Sequence, residues 1–195
     1  MARDDIRPAQ YMGQASLKTQ GFRLNASETF LRGEPVSLNA DGELTEAADD
    51  PVDGDLLGLA LEDGDTSNAT GLSQGGMRMG QYTDAGLPQT GDIILVGIPS
   101  YLQTFETSNF STNGSAFGNA APALANLGDR AGLSLISGSW GVDTNVTNFV
   151  ARISDVLSRN GISLQFDRQA TGRTVVFHMS ATQLNTFGNL DDAIA

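Results

Sequence analysis

Apolar residues fall in short patches separated by turn residues, a rhythm of strands rather than helices. Phe22 and Leu24, then Phe30 and Leu31, open the pattern, followed by Val36, Leu38 and Leu44 flanking Asn39-Ala40-Asp41-Gly42. Gly42 can take the positive φ that a tight hairpin connection requires, so two short strands are predicted there. Leu56-Leu57-Gly58-Leu59-Ala60-Leu61 reads as a buried strand whose glycine permits close backbone approach. Met77 to Thr83 predicts a strand with Met77, Met79 and Gln81 on one face. Ile93 to Pro99 is the strongest strand signal, and Tyr101, Gln103 and Phe105 continue its alternation. Residues 107–122 read as loop. Leu133 and Leu135, then Trp140 and Val142, alternate across Ser137-Gly138 and predict a second hairpin.

Residues 147–159 are ambiguous. Phe149, Ile153, Val156 and Leu157 fit a helical stripe, while Phe149, Ala151, Ile153 and Leu157 fit alternation; β-branched content favours strand. Gly161–Phe166 and Thr174–Met179 predict a further strand pair, and Ser180 is positioned to cap a short helical turn reaching Phe187. About ten strands with little helix predict an all-β protein, as a β-barrel or a sandwich, and argue against the doubly wound sheets of much nucleotide chemistry. The expected organisation is an extended N-terminal arm over 1–20, a single β-rich domain over 21–187 and a frayed tail over 188–195.

Composition supports a turn-rich fold: Gly, Ser, Thr and Asn make up a third of the 195 residues, and Leu, Ile, Val and Phe about a quarter. Zero Cys excludes disulfides, thiolate metal sites and a cysteine nucleophile, and the single His178 excludes an all-histidine metal site within one chain. The net charge of −12 is unevenly placed. Residues 1–32 carry five basic and three acidic groups, whereas residues 33–77 carry eleven acidic groups and no basic one. The acidic segment, 34–65, is expected to lie mostly in solvent. Such a surface repels phosphate backbones and anionic lipid, so neither nucleic acid nor a membrane is an expected partner. No apolar run approaches the roughly 18 residues of a membrane span, and the N-terminus lacks the apolar core of a secretory signal; synthesis in a cytoplasm is expected. Five N-x-S/T sequons then follow from the abundance of Asn, Ser and Thr.

Three candidate chemistries are weak. Gly71-Leu72-Ser73-Gln74-Gly75 matches the G-x-S-x-G of serine hydrolases, with His178 downstream, but Ser73 sits in a polar loop rather than on a strand-to-helix elbow. Gly86 to Gly91 has P-loop glycine spacing, yet Asp92 stands where the lysine belongs and would repel phosphate. Asp49, Asp50, Asp53, Asp55, Asp63 and Asp65 could meet a hard cation, but they lack the register of a calcium loop; a solvated rim is the simpler account. His178 and Trp140 read as structural, and no catalytic residue, cofactor or metal is expected.

Gly33-Glu34-Pro35-Val36 with Asp41-Gly42, Leu57-Gly58-Leu59-Ala60, and Leu127-Gly128-Asp129-Arg130-Ala131-Gly132-Leu133 with Trp140 and Val142-Asp143 resemble the succession of units in tailed-bacteriophage capsid decoration (cement) proteins. The resemblance spans roughly residues 20–180. It implies a β-barrel or "β-tulip" module without catalytic residues, often trimeric, on the outer capsid surface, bridging neighbouring major capsid subunits. The expected partners are therefore the major capsid protein and further copies of this chain, as a homotrimer or a dimer. On that reading the arm orders on the shell, with Arg3, Arg7 and Lys18 pairing with acidic groups and Tyr11 and Met12 as anchors. A phage tail or fibre-type adhesion module shares the composition and is the alternative, with a hydrolase using Ser73 more remote.

Overall fold

A computed structural model describes residues 6–9, 18–26, 28–52, 54–64, 93–99, 103–167 and 169–179. Within them the protein is mainly β, built from two sheets. The strands are β1 (Arg7–Pro8), β2 (Lys18–Arg23), β3 (Pro35–Leu38), β4 (Leu44–Glu46), β5 (Gly58–Ala60), β6 (Ile93–Ile98), β7 (Phe105–Thr107), β8 (Phe110–Ser111), β9 (Arg130–Ile136), β10 (Ser139–Asp143), β11 (Ala151–Leu157) and β12 (Thr174–Met179). A single 3-10 turn, Leu124–Asn126, is the helical element among the described residues. No helix there is long and apolar enough to cross a membrane.

The smaller sheet has the order β2-β6-β5-β3-β4 and is antiparallel throughout. It rolls until its two edge strands meet: Leu24, just beyond β2, forms one parallel bridge to Leu44 of β4, and Asn25 donates its N–H to the Leu44 carbonyl at 3.0 Å. One bridge is not a continuous ladder, so the sheet is a roll rather than a closed barrel. Its interior is the alternate residues of each strand, Phe22, Val36, Leu38, Leu44, Ala60, Ile94, Val96 and Ile98, with Leu24, Phe30 and Leu57. The roll depends on Gly58: a Cβ there would lie 2.3 Å from the carbonyl oxygen of Gly97 on β6. The β3–β4 hairpin forms where the sequence places it, with Gly42 at φ +76° and Asn39 Oδ1 accepting the N–H groups of Asp41 and Glu43.

The larger sheet has the order β1-β7-β12-β11-β9-β10-β8, antiparallel except for the parallel β8–β10 pair. Its inner face, with Phe105, Ala131, Leu133, Trp140, Val142, Ala151, Ile153, Val156, Val175, Phe177 and Met179, packs against Ala47, Leu56 and Leu59. Leu59 belongs to β5, so one residue of the roll points into the other sheet's core, and the two sheets stack as a sandwich. The β9–β10 hairpin turns at Ser137 and Gly138, both at positive φ, as the Ser-Gly spacing predicts.

Three expectations need correction. Phe105 does not continue β6; the chain crosses to the other sheet, where β7 pairs with β1 and β12. Residues 161–166 are not a strand beyond one bridge, Ser163 to Leu157, because the segment turns back on itself: Leu164 donates to the Val156 carbonyl, and Phe166 and Asp167 both donate to that of Ser163. Residues 110–111, read as loop, form β8. The expected strand over 77–83 and the helical turn over 180–187 lie outside the described residues.

Candidate functional site

Of the five residues expected to meet a shell, Arg7 and Lys18 fall within the described residues; Arg3, Tyr11 and Met12 do not. Lys18 opens β2 and is exposed. Arg7 does not belong to a free arm: it lies in β1, and its Nε donates to Glu106 Oε1 at 2.6 Å. Ile6 is 1% exposed in the main core, and Ala9 is buried with Leu157 and Val176 on the opposite face of the sheet. Residues 6–9 are thus part of the fold. The free arm expected over 1–20 does not run through them.

In the acidic segment, several carboxylates also bind backbone N–H groups, and one of them is buried. Glu34 is buried and accepts the Leu31 N–H at 2.7 Å; Glu62 accepts that of Leu95, Asp63 that of Arg32 and Asp49 that of Leu135. The Asp50 carboxylate receives the N–H groups of Thr147 and Asn148. These carboxylates satisfy backbone donors that would otherwise lack a strand partner, tying loops to both sheets. Asp41, Asp49 and Asp55 remain exposed. Among the described residues, no group of three or more His, Asp or Glu side chains is placed to hold a metal ion. Ser73 and the 86–91 loop lie outside those residues. His178 is half-buried on β12, with Nδ1 3.1 Å from the Gln103 carbonyl oxygen, a contact that orients the ring.

Two surface features stand out. On the outer face of the larger sheet, where β11 ends and β12 begins, a cleft of about 420 Å³ is lined by Arg7, Glu106, Ser108, Leu157, Ser158, Arg159, Gly161, Arg173 and Thr174. Strand register assembles it: Arg7 lies opposite Glu106, and Leu157 opposite Thr174. Backbone bonds from Arg173 to Leu157, Ser158 to Ile162 and Gly161 to Ser158 fix its rim. The second feature is the turn after it, which displays Phe166 at 85% exposure, with Ile162 about half exposed. That turn is held by its paired N–H groups and by Ser163 Oγ, which donates to Asp155 Oδ1 at 2.7 Å, while Leu164 anchors it in the core.

Neither feature is visible in the sequence. The cleft draws on four stretches up to 166 positions apart, Arg7 to Arg173, and Phe166 resembles the interior residue of a strand until the turn is known. The chain matches no protein-family model and no curated protein.

Proposed function

We propose that this chain is a structural protein of a tailed-phage particle, decorating and stabilising the outside of the capsid by bridging neighbouring major capsid subunits, and acting as a homotrimer. The observation that carries the reading is Phe166. A phenylalanine held 85% exposed on a hydrogen-bonded turn, with exposed Ile162 four positions earlier in the chain, is an apolar anchor of the kind that protein interfaces bury at their centres. A two-sheet module whose acidic side chains brace its own loops presents a rigid surface for such contact.

Quantifying the chain against the major shell protein in purified particles tests the placement. Copy numbers in the hundreds support decoration, and a handful to dozens would move the chain to the tail and overturn the reading. Phe166→Ser with Ile162→Ser is expected to lower occupancy at least ten-fold with the fold unchanged; full occupancy removes the anchor from the reading. The N-terminal contribution is tested by substituting Arg3, Tyr11, Met12 and Lys18, since deleting residues 2–15 would strip Ile6 and Ala9 from the interior. Native mass spectrometry of the isolated chain checks the trimer.

A further inference from the structure

We propose that the arginine-lined cleft is a binding site for a compact, multiply charged oxyanion, phosphate- or carboxylate-bearing. Three of the chain's eleven basic residues converge on it, against a net charge of −12 for the whole. Glu106 compensates one of the three guanidinium groups. The side chains of Arg159 and Arg173 have no hydrogen-bonding or ion-pair partner among the described residues, so the cleft carries an excess of about two positive charges.

The geometry suits an oxyanion. Glu106 engages Arg7 through Nε and so fixes that guanidinium, leaving its terminal N–H groups to a ligand. Ser108 and Thr174 add hydroxyl donors, and Leu157 gives the cleft an apolar wall that weakens competition from solvent. The frame is rigid before any ligand arrives, since it is made of β1, β7, the last residue of β11 and the first of β12, hydrogen-bonded to one another. A space of about 420 Å³ is ample for a diphosphate or a tricarboxylate as well as for a single phosphate. Guanidinium forks paired with hydroxyls are the standard protein answer to such groups. The inference stands independently of any capsid role.

Calorimetric titration of the full chain with inorganic pyrophosphate, and separately with citrate, tests the site. Saturable binding at one site per chain is expected for at least one of them, weakening as salt is raised. Arg159→Gln with Arg173→Gln should weaken it ten-fold or more without moving the melting temperature, because both side chains are exposed. Arg130→Gln, on a strand outside the cleft, should leave it unchanged. Tighter pyrophosphate binding assigns a phosphate-bearing ligand and tighter citrate binding a carboxylate-bearing one; either supports the site. No saturable binding of either probe, or equal binding by the double variant, overturns it.

Discussion

The roll and the larger sheet solve the same problem by different means. The five-stranded roll encloses its own core through the β3–β4 hairpin, a glycine contact between β5 and β6, and a single bridge where the edges meet. The seven-stranded sheet cannot enclose anything alone. It borrows Leu56 and Leu59 from the other unit to cover its inner face, and its β11–β12 connection contributes to the cleft and carries the Phe166 turn. A sheet covered on one face by its neighbour can keep its opposite face and its loops for contact.

If the two units share one folding transition through Leu59, damage to either core must be felt in both. Phe177→Ala removes a ring at the centre of the larger core, 6.1 Å from that of Phe105, and is expected to destabilise by about 3–5 kcal/mol. Trp140 fluorescence, which reports the larger core, and far-ultraviolet circular dichroism should lose structure at the same urea concentration; separated midpoints would break the comparison into two independent units. Gly58→Val attacks the roll instead. Its added atoms meet the Gly97 carbonyl, and a loss of about 3 kcal/mol is expected, again read at Trp140 although the site is in the other unit. Asp50→Ala frees the N–H groups of Thr147 and Asn148 and should cost about 1–2 kcal/mol, measured as a shifted denaturation midpoint. Gly138→Ala forces a side chain into φ +74° at the β9–β10 turn, for about 1 kcal/mol with open space around it; a larger loss would mean the turn does more than reverse the chain.

How legible each region was follows from how local its determinants are. Asn39 to Gly42 and Ser137-Gly138 announce their hairpins because turn chemistry acts over four residues. The 147–159 stretch hid its periodicity for a physical reason. A register shift between Ile153 and Asp155 sends Ala151, Ile153 and Val156 to the core and Leu157 to the opposite face, so an alternating strand acquires a three-residue step that mimics a helix. The bracing role of the acidic segment was hidden because charge alone does not say whether a carboxylate also meets a backbone N–H; Glu34 and Asp50 do. The cleft was illegible because its arginines share no sequence neighbourhood: Arg7 comes from β1, Arg159 from just beyond β11 and Arg173 from just before β12.

The lone Leu24–Leu44 bridge gives the roll a seam. Every other strand junction in that sheet is secured by at least two paired positions, so transient opening should begin there, in the native state and below the threshold for global unfolding. In deuterated solvent the Asn25 amide would then exchange well ahead of the interior amides of β6, and the order of exchange would trace the path by which the roll unwinds.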